Sequence, residues 1–177
     1  MQPRLICLIG AECTGKTTLA QVLAEQMGGL WVPEYLRSFT EQHGRPPERA
    51  EQLHILHEQV RQETRALASA RQQQMRLVFC DTAPLLTAIY SDTVFSDASL
   101  FPQAHGLHAR YAITLLLEPD IPWVADGVQR NGLQARATVQ ARIEQALTEW
   151  AWPHVRIAGT PEQRLLIALD AVLSVTH

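Results

Sequence analysis

Eight residues near the N-terminus have the types and the spacing of a phosphate-binding loop. The segment from Gly10 to Thr17 reads G-A-E-C-T-G-K-T, which matches the pattern G-x-x-x-x-G-K-[ST]. In such a loop the backbone N–H groups converge on phosphate oxygens, and the helix that follows adds the positive end of its dipole. Lys16 can reach the β- and γ-phosphates, and the hydroxyl of Thr17 can bind Mg²⁺. We therefore predict a nucleotide site with ATP and Mg²⁺ as cofactors, formed by Gly10, Ala11, Glu12, Cys13, Thr14, Gly15, Lys16, Thr17 and Thr18.

The residues on either side of this loop have the pattern that it requires. Leu5–Ile9 is a continuous apolar run, which is typical of a parallel strand buried on both faces. After the loop, apolar residues recur at helical spacing from Lys16 to Met27, and the pair Gly28-Gly29 predicts the end of that helix. A strand, a loop and a helix in this order favour a phosphate site over a chance glycine-rich turn.

Two acidic residues follow other predicted strands and are candidates for the reaction chemistry. Asp81 comes directly after the apolar run Leu77–Cys80, and Glu34 follows Trp31-Val32-Pro33. The carboxyl ends of parallel strands form the ligand-binding edge of a sheet, so both side chains are expected beside the loop. Asp81 is the candidate to hold Mg²⁺ together with Thr17, while either carboxylate can accept the proton of an attacking hydroxyl. The alternative for each is a structural role, such as a helix N-cap at Asp81.

Two arginines are candidates for contacts with the transferred phosphoryl group. Arg130 and Arg136 lie in or beside a turn-rich segment with Gly127 and Gly132, and we predict a lid-like element over about residues 126–136. Phosphoryl transfer develops negative charge that arginine side chains can stabilise. The alternative is a solvated loop followed by arginines at the start of a helix.

The single lysine excludes one class of P-loop protein. The chain has fourteen arginines but only one lysine, Lys16, so the Asn-Lys-x-Asp motif with which switch GTPases read guanine is excluded. Ring-forming ATPases of the AAA+ type usually need a longer chain and a second helical domain. A small-molecule kinase fits the length of 177 residues best.

The rest of the chain alternates between strand and helix patterns. We predict strands over 5–9, 30–32, 77–80, 111–117 and 154–157. We predict helices over 16–27, from Glu34 or Tyr35 to His43, over 48–74, 84–91 and 136–150 and from Thr160 onward, with a loop or broken helix over 91–102. This order predicts an α/β fold, a P-loop NTPase three-layer sandwich with a five-stranded, mostly parallel sheet and helices on both faces.

Charge and hydropathy exclude several other classes. Fifteen basic residues against eighteen acidic ones give a net charge of −3, which does not favour non-specific binding to nucleic acid. No apolar run approaches the roughly 18–20 residues that span a bilayer, and the first one is too short for a signal peptide. Three cysteines indicate no disulfide framework. We expect a cytoplasmic protein with a single domain over residues 1–177 and no membrane partner, while assembly into a homo-oligomer stays open.

Three segments resemble the ribosylnicotinamide kinase domain of NadR-type NAD-biosynthesis proteins. Asp120–Arg130 reads D-I-P-W-V-A-D-G-V-Q-R and is similar to that family's D-I-P-W-x-x-D-G-x-R segment. Glu34–Arg37 looks like its E-Y-x-R segment, and Phe79–Thr82 with Thr87 and Tyr90 is similar to its strand-Asp-Thr segment followed by T-x-x-Y. Together with the P-loop, these matches run in the family's order.

The resemblance implies that ATP phosphorylates the ribose 5′-hydroxyl of nicotinamide riboside, a small nucleoside-like substrate, to give nicotinamide mononucleotide. It also implies that Asp120, Trp123 and Asp126 lie near the substrate and that Arg37 belongs to the substrate-binding segment. Trp123 or Tyr35 would stack on the nicotinamide ring, whose positive charge suits an aromatic face. The alternatives are a packing role for Trp123 and a plain turn at Asp126.

Two further functions stay open beside this one. The first is a kinase for another nucleoside or small metabolite, and the second is an ATP-binding regulatory protein with little or no kinase activity. NadR-type proteins also carry a nucleotidyltransferase domain with an H-x-G-H motif. His105–His108 has a different residue order, so we expect a free-standing form of the kinase domain.

Overall fold

Strands and helices alternate along the whole described chain. The computed structural model describes residues 2–122 and 132–176, including side chains except at 132–134. The strands are β1 (Arg4–Ile9), β2 (Leu30–Val32), β3 (Leu77–Asp81), β4 (Tyr111–Leu117) and β5 (His154–Ile157). The helices are α1 (Lys16–Met27), α2 (Tyr35–His43), α3 (Gln52–Gln72), α4 (Pro84–Phe95), α5 (Phe101–His108), α6 (Gly132–Glu149) and α7 (Pro161–Ser174).

The five strands form one sheet in the order β2-β3-β1-β4-β5. Each of the four strand pairings among the described residues is parallel. Because β1 is central, the loop that follows it lies between the ends of β3 and β4. The predicted P-loop three-layer sandwich is thereby confirmed.

Successive side chains of the central strand enter different cores, as the two-residue repeat of a strand requires. Ile6 and Leu8 join a core that contains buried residues of α1 and α7. Cys7 and Ile9 join a second core with residues of α4 and α6, and Leu5 joins a third with α3. Helices therefore cover both faces of the sheet, which explains why β1 is apolar at successive positions.

The segment between α4 and β4 differs from the prediction. Helix α4 continues to Phe95, and a short 3₁₀ turn over Ala98–Leu100 leads into α5, where the sequence predicted a loop or broken helix. The Asp97 carboxylate accepts the backbone N–H of Ser99 at 3.1 Å and so caps this turn. Leu100 and Ala104 are buried against α3 and α4, and this tertiary packing stabilises a segment that lacks a strong helical pattern.

Two helix boundaries also differ from those predicted. Helix α3 begins at Gln52, after a 3₁₀ turn over Arg49–Glu51, rather than at Glu48. Helix α6 begins at Gly132, before the predicted start at Arg136. Within the described part of the chain, we find no helix with the length and hydropathy to cross a membrane.

Candidate active site

The loop after β1 has a backbone that only glycine permits at two positions. A Cβ atom at Gly10 would lie 2.7 Å from the carbonyl oxygen of Leu117, at the end of β4. Gly15 is the N-cap of α1 and has φ = 82°, a left-handed conformation that L side chains rarely adopt. The first glycine lets β1 and β4 approach closely, and the second turns the chain into α1.

Lys16 folds back across this loop. Its Nζ atom donates hydrogen bonds to the carbonyl oxygens of Gly10, at 3.0 Å, and Ala11, at 2.9 Å. These partners hold the ammonium group at the loop itself. A phosphate bound there would lie within its reach, as the motif predicts.

Thr17 and Asp81 form the pair predicted for a metal ion. The Thr17 hydroxyl donates to Asp81 Oδ2 at 2.5 Å, linking the start of α1 to the end of β3. Asp81 is not the N-cap of α4, since that position is held by Ala83. Its other oxygen, Oδ1, is buried and has no hydrogen-bond partner among the described residues. A hydroxyl and a carboxylate oxygen with spare lone pairs fit Mg²⁺, which prefers oxygen ligands.

An ion bound at this pair would have few protein ligands. Among residues 2–122 and 132–176 there is no group of three or more His, Cys, Asp or Glu side chains that could hold a metal ion. This arrangement agrees with the usual mode of Mg²⁺ binding at nucleotides, with one or two protein oxygens and the rest supplied by phosphates and water.

Both candidate carboxylates are shifted toward the protonated form. Burial raises the pKa of Glu34, the positive charge of Lys16 lowers it, and the neighbouring Asp81 carboxylate raises it. Burial also raises the pKa of Asp81, and the hydrogen bond from Thr17 and the charge of Lys16 oppose that shift. Such environments are common where a carboxylate must exchange a proton or bind a cation.

A cavity of about 240 Å³ opens beside the loop. Its walls come from the loop, from α2 and from α4, and Glu34 lies where β2 leads into α2. The lining residues are Glu12, Cys13, Lys16, Glu34, Leu36, Arg37, Thr40, Glu41, Leu86 and Tyr90. A smaller adjoining pocket is also bounded by Glu34, together with Thr82, Thr87 and Gln59.

The charges in this cavity are unbalanced. Three carboxylates line it, from Glu12, Glu34 and Glu41, against two cationic side chains, those of Lys16 and Arg37. Lys16 is held by the loop carbonyls, so Arg37 is the cationic group that the α2 wall of the cavity presents. The excess of carboxylates favours a polar ligand that carries positive charge.

The structure brings together only some of the predicted substrate residues. Arg37 lines the cavity, whereas the described lining does not include Tyr35, whose hydroxyl lies 3.2 Å from Nε2 of His54. Asp120 accepts the backbone N–H of Gly159 at 2.7 Å and pairs with Arg164. Predicted residues Trp123, Asp126 and Arg130 lie outside the described residues.

Arg136 is buried, which differs from the alternative of a solvated loop followed by arginines at the start of a helix. It is 5% exposed and donates to the carbonyl oxygens of Cys13, at 3.0 Å, and Ile121, at 3.2 Å. Its guanidinium group therefore contacts the backbone of the phosphate-binding loop.

Several residues of this region were not identified from the sequence. Beside Arg37 and Tyr90, which the sequence analysis named, the cavity is lined by Leu36, Thr40 and Glu41 on the same face of α2 and by Leu86 on α4. On both helices, cavity residues are four positions apart, and α2 follows directly after Glu34 at the end of a strand. This helical spacing beside an acidic residue is the sequence signal that could have indicated them. Arg164 and Gln140 also contact the loop, at the carbonyl of Thr14 and the N–H of Ala11, but nothing local in the sequence marks them.

Comparisons with known proteins agree with this geometry. A family model described as an AAA domain matches residues 5–164. The trifunctional NAD biosynthesis/regulator proteins NadR of Salmonella typhimurium and Escherichia coli are each 27% identical to this chain over 129 residues. That match covers 73% of this chain and 32% of each relative, so the chain spans about a third of their length.

Solved structures show the same fold. A crystal structure of NadR protein in complex with NR has a TM-score of 0.83 at 22% identity, covering 98% of this chain and 52% of that one. Thymidylate kinase from Ehrlichia chaffeensis has a TM-score of 0.68 at 15% identity, covering 99% of this chain and 100% of that one. The fold is that of P-loop kinases.

Proposed function

Since the chain belongs to the AAA domain family and has a P-loop kinase fold, we propose that it transfers the γ-phosphoryl group of ATP to the 5′-hydroxyl of nicotinamide riboside. The products are nicotinamide mononucleotide, ADP and the proton of the hydroxyl. The observation that carries this proposal is the acid-lined cavity that opens directly beside Lys16. We further propose that residues 1–177 act as one kinase domain.

The nucleotide side of the site is the loop from Gly10 to Thr18. Its backbone N–H groups and Lys16 would hold the phosphates, and the oxygens of Thr17 and Asp81 would hold Mg²⁺. When bound, this ion neutralises charge on the phosphates. Phosphoryl transfer depends mainly on positioning and charge stabilisation, and these residues supply both.

The acceptor side of the site assigns separate roles to the two carboxylates. Asp81 is engaged by Thr17, whereas Glu34 lines both the main cavity and the adjoining pocket. Glu34 is therefore the group that accepts the proton of the attacking hydroxyl. Its raised pKa suits a base that must take up that proton.

The charge of the cavity supports a cationic acceptor. Nicotinamide riboside carries a positive pyridinium ring, and Glu41, one turn along α2 from Arg37, adds negative charge to the α2 wall of the cavity. The ring of Tyr90 on the α4 side offers an aromatic surface to the same ligand. The similarity to proteins named for NAD biosynthesis supports the same acceptor.

Coupled ADP release tests the proposal directly. We expect turnover with nicotinamide riboside and much less with uridine, adenosine or thymidine. Turnover with one of those neutral nucleosides alone would identify a kinase for another acceptor. ATP binding that no acceptor converts to turnover would identify a regulatory protein.

Substitutions at residues of the proposed acceptor site test where the acceptor binds. Glu41→Gln should raise KM for nicotinamide riboside and leave KM for ATP unchanged, because it removes negative charge from the acceptor wall. Glu25→Gln, at an exposed position of α1 outside the cavity, is the matched control. Trp123→Ala should also raise KM for the riboside more than KM for ATP. An unchanged riboside KM would remove Trp123 from the acceptor site.

A further inference from the structure

Arg164 is a buried arginine that joins three loops at the ligand-binding edge of the sheet. It is 5% exposed. Its guanidinium donates to the carbonyl oxygens of Thr14 at 2.8 Å, Glu118 at 2.8 Å and Gly159 at 3.0 Å. It also pairs with the carboxylate of Asp120. These acceptors lie in the P-loop, in the segment after β4 and in the loop between β5 and α7.

The position of this arginine is electrostatically unfavourable for a helix. Helix α7 starts at Pro161 behind the Thr160 N-cap, so Arg164 is its fourth residue. A cation near a helix N-terminus opposes the helix dipole, and burial removes the charge from water. Helix stability alone therefore does not account for an arginine here, whereas its contacts with the loops do.

The contact with Thr14 acts on a peptide group of the phosphate-binding loop. In a planar trans peptide, the C=O of one residue and the N–H of the next point in opposite directions. A guanidinium that holds the Thr14 carbonyl therefore fixes the direction of the Gly15 N–H. Its charge also polarises that peptide, which makes the N–H a stronger donor to an anion.

A second arginine makes the equivalent contact one peptide earlier. Arg136 on α6 donates to the Cys13 carbonyl at 3.0 Å, which fixes the direction of the Thr14 N–H. Two consecutive loop peptides are thus held by arginines from two different helices. Cys13 has φ = 52°, a left-handed conformation that non-glycine residues rarely adopt, and the hydrogen bond from Arg136 to its carbonyl stabilises this part of the loop.

We propose that Arg164 is a positioning residue for nucleotide binding, which aims the Gly15 N–H at a phosphate oxygen. This inference rests on the phosphate-binding role of the loop in the proposed function. It assigns Asp120 to the same cluster, as the carboxylate that orients Arg164, rather than to the acceptor.

Arg164→Lys and Arg164→Gln test the proposal when binding of a non-hydrolysable ATP analogue is measured by calorimetry. Arg164→Gln should bind the analogue on the order of tenfold more weakly, since hydrogen bonds from a charged group are lost, and Arg164→Lys should bind it more weakly than the wild type does. KM for ATP should rise while KM for the acceptor stays unchanged. Lysine should restore part of the affinity, because its charge remains although it cannot reach all four acceptors.

Arg156→Gln is the matched control. Arg156 is an arginine on β5 that pairs with Glu118 and Glu144 at the surface. Its loss should leave affinity for the analogue unchanged. Thermal unfolding of each variant identifies the temperature range in which the protein is folded, and binding is measured within that range.

Asp120→Ala leaves residue 164 an arginine but removes the carboxylate that orients it. This variant provides an independent test should the Arg164 variants not fold. It should weaken binding of the ATP analogue about threefold without affecting the acceptor KM, because one of four contacts of the guanidinium is lost. Unchanged affinity for the analogue in the folded variants would overturn the proposal. An acceptor KM raised by Asp120→Ala would overturn it too, and would place Asp120 at the acceptor. If the wild-type protein does not bind the analogue, the proposed function itself fails.

Discussion

The hydroxyl of Thr17 lies 2.5 Å from Oδ2 of Asp81, although the two residues are separated by 64 positions in the chain. The bond joins the first turn of α1 to the last residue of β3. It exists because β3 pairs with β1 in parallel, with Asp81 opposite Leu8, so both strand ends meet at one edge of the sheet. The proposed metal site is thus a product of strand pairing.

Thr17→Ala should raise the Mg²⁺ concentration needed for half-maximal turnover by roughly tenfold or more, as removal of a metal-orienting group commonly does. Thr17→Ser keeps the hydroxyl and should behave much as the wild type does. A titration of turnover with Mg²⁺ at saturating ATP measures the effect. Equal Mg²⁺ requirements in the alanine and serine variants would contradict the assignment.

Lys16→Ala should reduce kcat/KM by at least about a hundredfold, since it removes the ammonium group that the carbonyls of Gly10 and Ala11 hold at the loop. Coupled ADP release measures the loss, and circular dichroism confirms that the variant is folded. Arg76→Ala, at an exposed site just before β3, is a control for the removal of one positive charge. Full activity in the Lys16 variant would disprove the phosphate-site assignment.

The acid side of the pH–rate profile should reflect Glu34. Its pKa is raised in the folded protein, chiefly by burial, so the carboxylate is lost at a higher pH than an ordinary glutamate would require. We expect kcat/KM to fall with decreasing pH at a midpoint above the usual glutamate range. Glu34→Gln should remove most activity at every pH, which would distinguish it from a variant that only shifts the midpoint.

The same shift predicts a stability change with a definite sign. The pKa of Glu34 is higher in the folded protein than in the unfolded chain. At pH values between the two, the folded state holds more protons than the unfolded state does, so the free energy of unfolding falls as pH rises. Glu34→Gln should therefore raise the melting temperature at pH 7 more than at pH 4. Glu51→Gln should do the opposite, because Arg45 lowers the pKa of Glu51 to about 2. Melting curves at both pH values test the pair.

Tyr111→Phe should destabilise the protein by about 1–3 kcal/mol, because it removes one hydrogen bond to a buried carboxylate. The Tyr111 hydroxyl donates to Oε1 of Glu63 at 2.8 Å, and the Glu63 side chain is completely buried. Chemical denaturation measures the change. Tyr35→Phe is the matched control, because its hydroxyl contacts the exposed His54, and it should change stability little. Equal effects of the two variants would contradict this account.

Local patterns were sufficient for most of the fold. Apolar runs such as Leu5–Ile9 and the stop signal at Gly28 predicted elements that the structure confirms, because burial and backbone conformation act on neighbouring residues. The pattern was insufficient between Phe95 and Tyr111. There α5 depends on burial of Leu100 and Ala104 against α3 and α4, which are contacts that no local pattern contains.

By itself, the sequence determined the phosphate-binding loop, since its glycines, Lys16 and Thr17 act within eight consecutive residues. It also placed Glu34 and Asp81 at strand ends. Only the tertiary structure decided that Asp81 bonds to Thr17 while Glu34 lines the cavity, and that Arg136 and Arg164 hold loop carbonyls. The reason is physical: strand order and helix packing bring together residues that are far apart in the chain, and one-dimensional spacing does not encode those distances.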